Sequence, residues 1–158
     1  MTIQVGDKLP VGSLKVMGAE DSEEKTISEL FDGKKVVMFA VPGAFTPGCS
    51  MTHLPGFVVN ADKIKAKGVD NIICLAVNDV FVMDAWGKAQ NAEALIMAAD
   101  GSGDYTKTLD LELDASGFGM GIRSKRYAMV VDDGEVMYLG VDSKGIEHSA
   151  ADAVMEVL

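Results

Sequence analysis

Two apolar runs of strand length, each followed by a helix-start signal, dominate the first half of the chain. Residues 34–41 and 71–77 carry no charged side chain after their first two positions, which is typical of strands buried on both faces of a sheet. The signals that follow are Thr46-Pro47 and Asn78-Asp79, because threonine, asparagine and aspartate cap free helix amides and proline suits the first helical position. The order strand, helix, strand, helix predicts parallel strands.

The remaining segments have weaker patterns, with one exception. Asp132-Asp133-Gly134 separates two runs of β-branched and aromatic residues, which is the strongest hairpin signal in the chain. Thr26 and Glu29 have the spacing of a capping box before a short helix at 27–31. In chain order we also expect an edge strand at 13–17, a polar turn at 18–24, a weak strand at 94–98, a short helix at 105–109, hairpin strands at 126–131 and 135–141, and a last helix from Ser149.

Parallel strands followed by an antiparallel hairpin and a terminal helix predict an α/β protein with a central mixed β-sheet flanked by helices. This is the order of a thioredoxin-like fold with an N-terminal extension. The helix after Thr46 should extend to about Lys67, with a kink at Pro55-Gly56 because proline cannot donate its backbone hydrogen bond. A chain of 158 residues is about one domain, so we expect a single domain over residues 1–158.

Composition and charge exclude several classes of protein. With 48% hydrophobic and 24% charged residues, the chain has the composition of a globular protein rather than a disordered or membrane one. The net charge of −10 argues against nucleic acid as a partner, because binding phosphates requires a basic face. Residues 1–7 show neither a secretory nor a transit pattern, so we expect a cytoplasmic protein that does not span a membrane.

The chemistry of the chain centres on the loop between the first buried strand and the helix that follows it. Two prolines and two glycines lie between Val41 and Cys49, which falls in the first turn of the predicted helix. Free amides and the positive end of the helix dipole favour an anion there, so this thiol should ionise more easily than a free one. The structural alternative is a cysteine that merely packs in the core.

The spacing Pro42-x-x-x-Thr46-x-x-Cys49 resembles the peroxiredoxin signature. The sixteen residues from Pro42 to Phe57 resemble the type-5 subgroup, called type II in plants, without a slip in spacing. Two further matches, at 77–79 and 124–130, follow in the expected order. The resemblance therefore covers essentially the whole chain and implies a thioredoxin-fold thiol peroxidase that needs no cofactor.

The resemblance also implies a role for each residue around the thiol. Cys49 would attack hydrogen peroxide or an organic hydroperoxide and become a sulfenic acid, beside a catalytic cation at Arg126. The hydroxyl of Thr46, which we also expect to cap the helix, would orient the peroxide while Pro42 shields the pocket from water. Other residues implied for the pocket are Phe45, which could also form a dimer contact, Gly48 and His53; Arg123 and Lys125 are less favoured alternatives to Arg126. The implied assembly is a homodimer.

Two other kinds of site use some of the same residues. His53 lies one turn after Cys49 and could pair with it as in a cysteine hydrolase, although a structural role is favoured. Cys49, His53, Cys74 and His148 are zinc-ligand types, but the paired short spacings of structural zinc sites are absent. We therefore predict no metal site.

Recycling of the oxidised thiol is where the chain departs from part of the family that it resembles. Some type-5 members carry a C-terminal resolving cysteine, and His148 stands at that position here. Cys74 lies within an apolar strand, where a buried role is favoured. We expect a one-cysteine cycle resolved by an external thiol, with glutathione and glutaredoxin ahead of thioredoxin. The alternatives are a cycle in which Cys74 is the resolving thiol, and a peroxide sensor.

Overall fold

The computed structural model describes residues 1–158, and a seven-stranded mixed sheet runs through it. The strand order is β2-β1-β5-β4-β3-β8-β9, in which β5, β4 and β3 are parallel and the other pairs are antiparallel. A separate pair, β6-β7, stands apart from this sheet. The strands are β1 (Ser13–Met17), β2 (Ser22–Thr26), β3 (Lys35–Val41), β4 (Asn71–Ala76), β5 (Ile96–Ala99), β6 (Glu112–Asp114), β7 (Ile122–Ser124), β8 (Arg126–Asp132) and β9 (Glu135–Asp142).

Helices cover both faces of the sheet. The helices are α1 (Ile27–Phe31), α2 (Leu54–Ala66), α3 (Val80–Ala89), α4 (Asp104–Leu109) and α5 (Ala151–Glu156), with a short 3-10 turn at Ser116–Phe118. Alternate residues of β3 pack with α2, α3 and α5 on one face and with α1 and α4 on the other. Burial on both faces explains why this strand is apolar without alternation. The expected α/β fold, with a central mixed sheet flanked by helices, is confirmed.

Two expectations about the N-terminal half of the chain were wrong. The strand at 13–17 is not an edge strand, because β2 lies outside it and forms the edge. β2 occupies Ser22–Thr26, most of which we expected to be turn or cap. Its sequence, Ser-Glu-Glu-Lys-Thr, carries the charges that protect an exposed edge from pairing with another chain. That polar composition is also what makes it resemble a turn.

The helix that carries Cys49 has an unusual first turn. Helical backbone begins at Pro47, and residues Cys49–His53 form a π-turn in which Leu54 N–H donates to the Cys49 carbonyl five residues back. The expected irregularity near Pro55 is therefore a widened turn just before the proline. Cys49 and His53 are both buried on the inner side of this turn. None of the helices is both long enough and apolar enough to cross a membrane.

Candidate active site

The sulfur of Cys49 is buried and lies beside a guanidinium group. The residue has 0% exposure, and its Sγ accepts a hydrogen bond of 3.2 Å from Arg126 Nη2. Arg126 is the first residue of β8, and the antiparallel register pairs Tyr127 with Ala40. The start of β8 therefore lies beside the end of β3, where the loop to Cys49 begins. This pairing brings together two side chains that are 77 positions apart in the chain.

His53 contacts the second terminal nitrogen of the same arginine. Its Nδ1 is 2.8 Å from Arg126 Nη1, and its Nε2 is 2.8 Å from the carbonyl oxygen of Ser149. A carbonyl only accepts, so Nε2 carries the hydrogen and Nδ1 accepts from the arginine. The ring is packed against Phe39 and Phe57, at centroid distances of 5.0 and 5.7 Å.

The charge state of His53 follows from this environment. Burial lowers the pKa of His53 from 6.5 to about 4; the Ser149 carbonyl opposes this fall, and the positive charge of Arg126 adds to it. The ring is thus neutral at pH 7. No hydrogen bond joins His53 to Cys49, because the lone pair on Nδ1 is already used by Arg126. The Cys–His pairing of a cysteine hydrolase is therefore not made.

Thr46 closes the loop before the helix, but not in the way we expected. Its hydroxyl donates a 2.7 Å hydrogen bond to the Gly43 carbonyl, and no amide of the first helical turn donates to it. The predicted side-chain cap is wrong. Instead the backbone carbonyl of Thr46 accepts the first helical bond from Ser50 N–H at 2.9 Å. The hydroxyl oxygen is left with lone pairs that can accept a further hydrogen bond.

The rest of the loop is held by side chains from α3 and the segment before it. Asn78 Oδ1 accepts from Ala44 N–H at 2.9 Å, while Asp79, not Asn78, caps α3 through Val82 N–H. Trp86 Nε1 donates to Ser50 Oγ at 2.9 Å. The sequence indicated Asn78 only as part of a helix cap and indicated no role for Trp86.

The two remaining predicted pocket residues lie on the surface of the loop. Phe45 is 55% exposed and adopts the left-handed conformation, with φ of 64°; its ring centroid is 6.4 Å from that of Trp86. Gly48 lies beside the arginine, and a Cβ built on it would be 3.5 Å from Arg126 Nη2. Arg123 donates to the carbonyls of Met120 and Pro42, so its hydrogen bonds hold backbone rather than the sulfur.

Cys74 is the second thiol, and it lies inside the sheet. It is fully buried in β4, paired in register with Phe39 on one side and Met97 on the other. Both cysteines are free. Burial raises the pKa of the Cys74 thiol well above its usual value, and the neighbouring Cys49 adds to the rise. No group of three or more His, Cys, Asp or Glu side chains is arranged to hold a metal ion.

A cleft of about 460 Å³ opens beside the site. Pro42, Gly48, Lys125 and Arg126 line it. The end of β9 and the loop after it also line the cleft. In the sequence, only His148 connected this segment with the site. The remaining lining residues are Leu113, Val141, Asp142, Ser143, Lys144, Gly145 and Ile146.

Comparison with known proteins shows which family the chain resembles. The redoxin family profile matches residues 4–155. Peroxiredoxin-2B of Arabidopsis thaliana is 46% identical over 99% of this chain and 98% of its own length, and the chloroplastic peroxiredoxin-2E of the same plant is 44% identical over 99% and 70%. The crystal structure of reduced Prx3 from Vibrio vulnificus in complex with hydrogen peroxide has a TM-score of 0.96 and 52% identity, covering 99% of both chains.

These matches define the class of the protein. The chain belongs to the redoxin family. Within it the chain is a peroxiredoxin of the type-5 subgroup, called type II in plants, and therefore a thiol peroxidase with a thioredoxin fold. The resemblance carried by residues 42–57 is thus confirmed.

Replacing His53 with asparagine, which does not titrate, should change how stability depends on pH. Folding lowers the pKa of His53 from 6.5 to about 4, so protonation favours the unfolded chain. The stability linked to neutral His53 is fully present above pH ~6.5 and is lost as pH falls through ~4, a difference on the order of 3 kcal/mol. Urea unfolding at pH 7 and pH 4 should show a larger loss for the wild type than for His53→Asn. Equal losses would contradict a buried neutral imidazole.

Proposed function

We propose that this peroxiredoxin reduces hydrogen peroxide and organic hydroperoxides through a sulfenic acid on Cys49. The observation that carries the proposal is the hydrogen bond from Arg126 Nη2 to the buried Cys49 Sγ, at 3.2 Å. At this distance the guanidinium is a charge-assisted hydrogen-bond donor to the sulfur that attacks the peroxide. The same cation stabilises the negative charge that develops on the peroxide oxygens.

The reaction balances as a two-electron oxidation of sulfur. The Cys49 thiolate attacks one peroxide oxygen, an S–O bond forms, and the O–O bond breaks. The other oxygen leaves with the bonding pair and takes up a proton, giving water or an alcohol, while the sulfur becomes a sulfenic acid. Arg126 lies where both the thiolate and the leaving oxygen need positive charge.

Thr46 and Pro42 are the residues that we propose to position the peroxide. The hydroxyl hydrogen of Thr46 is held by the Gly43 carbonyl at 2.7 Å, so its oxygen meets a peroxide as an acceptor. A peroxide O–H donated to it would be fixed before attack, which lowers the entropic part of the barrier. Pro42 is half-buried in the lining of the cleft and has no N–H to hold water there. The hydrogen peroxide in the related Prx3 structure supports a peroxide pocket in this fold.

A one-cysteine cycle is the proposed route of recycling. Cys74 is fully buried and paired in register within the sheet, so bringing it to Cys49 would require local unfolding. Its raised pKa also keeps it as a thiol at neutral pH, and a thiol is a poor nucleophile. His148 cannot form a disulfide. An external thiol must then attack the sulfenic acid, releasing water and leaving a mixed disulfide on Cys49.

Charge in the cleft favours an anionic thiol as that external partner. Lys125, Lys144 and Arg126 line the cleft of a chain whose net charge is −10. Asp142 also lines the cleft, so its side chains carry a net positive charge of two. Glutathione has two carboxylates and one ammonium group, a net negative charge, so we propose glutathione, with glutaredoxin to remove the adduct, ahead of thioredoxin. Such a cycle needs a reduced thiol pool, which supports the cytoplasm as the proposed compartment.

Substituting each cysteine in turn tests the cycle. Cys49→Ser should abolish peroxide consumption, because it removes the only thiol that Arg126 contacts. Cys74→Ser should keep near-wild-type steady-state turnover with glutathione, and mass spectrometry of oxidised wild type should show a glutathione adduct on Cys49. If Cys74→Ser stalls after one turnover while the wild type cycles, Cys74 is the resolving thiol. Sulfenic acid that forms but turns over with no thiol would instead indicate a peroxide sensor.

Neutralising the cleft lysines tests the reductant. Lys125→Gln and Lys144→Gln should each raise the KM for glutathione about two- to fivefold, the range expected for an exposed ion pair. The rate of sulfenic acid formation and turnover with the neutral thiol dithiothreitol should not change. Lys15→Gln, on β1 at the far side of the sheet, is the matched control. If the variant that combines Lys125→Gln and Lys144→Gln has the wild-type KM for glutathione at low salt, the cleft does not select an anionic thiol.

A homodimer is the proposed assembly, with contacts that flank the active-site loop. Phe45 on this loop is 55% exposed, and Phe81 at the start of α3 is 64% exposed. Exposed aromatic side chains next to a functional loop are typical of an interaction surface.

Sedimentation measures the assembly directly. At assay concentration the wild type should sediment as a species of twice the 16.7 kDa chain mass. Phe45→Ser together with Phe81→Ser should shift it toward monomer, because both changes remove apolar area from the interface. Val59→Ser, which changes an exposed apolar residue of α2, is the control and should leave the dimer intact. A wild type that sediments only as a monomer contradicts the proposal.

A further inference from the structure

The catalytic arginine is itself held by a chain of hydrogen bonds that runs away from the thiol. One terminal nitrogen of Arg126 donates to Cys49, and the other donates to His53 Nδ1 at 2.8 Å. On its far side, His53 Nε2–H donates to the Ser149 carbonyl at 2.8 Å. Arginine has many rotamers, and a half-buried guanidinium needs a second fixed partner to keep one of them. The position of Ser149 thus determines where His53 can hold Arg126.

Ser149 belongs to the loop after β9, and Asp142 organises this loop. Asp142 is 7% exposed, and its carboxylate accepts four hydrogen bonds. They come from the backbone N–H groups of Glu147, His148 and Ser149, at 3.0, 3.1 and 2.9 Å, and from Ser149 Oγ, at 2.6 Å. Three of these hydrogen bonds end on Oδ2 and one on Oδ1, and no ion pair is made to this carboxylate. Asp142 therefore acts as the fixed centre around which residues 143–149 fold.

Two residues of β9, Tyr138 and Gly140, hold the same loop. The Tyr138 hydroxyl donates to the His148 carbonyl at 2.6 Å. Gly140 lies directly under that carbonyl, and a Cβ built on it would collide with the His148 oxygen. Only glycine allows this approach, so strand and loop meet at one separation. Contacts from Asp142, Tyr138 and Gly140 therefore fix the position of Ser149.

We propose that Asp142 and His53 are positioning residues for the peroxidase reaction: Asp142 fixes the Ser149 carbonyl, which orients His53, which aims Arg126 at Cys49. The proposal rests on the proposed function only in the assignment of Cys49 and Arg126 to the chemistry. Neither Asp142 nor His53 touches the sulfur. Their effect on rate is transmitted through the guanidinium alone.

The charge of each group fits this role. The groups that face His53 are Arg126 from β8, Asp142 from the end of β9, and Cys49 from its own helix. Its low pKa keeps His53 neutral, so Nδ1 remains an acceptor for Arg126 throughout the physiological range. Burial raises the pKa of Asp142, but the hydrogen bonds from Ser149, His148 and Glu147 together outweigh it and lower the pKa to about 2. His53 and Asp142 therefore each keep a single protonation state at neutral pH.

An isosteric pair of variants at position 53 gives the first test. His53→Leu removes both hydrogen bonds, and His53→Asn keeps a carbonyl oxygen near the position of Nδ1. The rate constant for Cys49 oxidation by hydrogen peroxide, measured by stopped-flow fluorescence, should fall about tenfold in His53→Leu, as for one lost hydrogen bond to a charged group. His53→Asn should recover most of the rate. A wild-type rate in folded His53→Leu, or an equal loss in both variants, overturns the proposal.

A double-mutant cycle tests the longer link from Asp142. In Asp142→Asn the amide presents its hydrogens to at least one loop N–H, so the loop must shift. This variant should slow Cys49 oxidation about three- to tenfold in the wild-type background and have no further effect in His53→Leu. The matched control is Glu147→Gln, since that exposed side chain makes no hydrogen bond, and it should keep the wild-type rate. If Asp142→Asn lowers the rate of Cys49 oxidation equally in both backgrounds, Asp142 does not act through His53, and the proposal is overturned.

A spectroscopic readout separates this proposal from the proposed function. In ¹⁵N NMR, the wild-type His53 ring should show the Nε2–H tautomer from pH 5 to 8. Arg126→Met should raise the His53 pKa, because it removes a positive charge next to Nδ1, and Asp142→Asn should change the ring nitrogen shifts. If the ¹⁵N shifts of the His53 ring do not change in Asp142→Asn, the proposed link from Asp142 to His53 is overturned, whatever the activity of the variant. If these NMR results are all obtained but the wild type does not reduce peroxide, the proposed function is refuted and the hydrogen-bonded link from Asp142 to Arg126 remains supported.

Discussion

The contact on which the site depends is the one between a guanidinium and a buried sulfur. Arg126 reaches Cys49 only because β8 pairs with β3 in a register that sets Tyr127 against Ala40. A shift of one residue would turn Arg126 to the opposite face of the sheet. The apolar residues of β3 pack on both faces and fix that register. Core packing and the electrostatics of the thiol are therefore consequences of the same strand pairing.

Backbone irregularity serves the same contact. A regular α-helix places residues 49 and 53 about one turn apart with a slight rotation between them, whereas a π-turn puts residues four to five apart on nearly the same face. Cys49 and His53 occupy that turn and both face Arg126. Pro55 explains part of the arrangement, because it cannot donate to a carbonyl in the preceding turn. The widened turn lets one guanidinium meet a sulfur and an imidazole together.

Sequence patterns predicted the parts of the fold that depend on local composition. Apolar runs identified β3 and β4, and the Asp-Asp-Gly turn identified the hairpin. Resemblance to a family motif pointed to Cys49 and Arg126, which the structure brings within hydrogen-bond distance. Sequence patterns gave wrong predictions where the same residues suit two local structures. β2 resembles a turn because its edge needs charge, and the Thr46 hydroxyl bonds backward to Gly43 instead of capping the helix. The link from Asp142 to His53 left no local signal, because it joins segments 89 residues apart through a backbone carbonyl.

A neutral histidine is the partner that holds Arg126 without offsetting its positive charge beside the Cys49 sulfur. A carboxylate at position 53 would also hold the guanidinium, but its negative charge would offset the attraction between Arg126 and the sulfur. An apolar side chain would preserve the charge and leave Nη1 without a partner, which costs free energy in a half-buried site. Neutral imidazole accepts one hydrogen bond and adds no charge. The depressed pKa of His53 is thus a condition for Arg126 to act as a full cation beside Cys49.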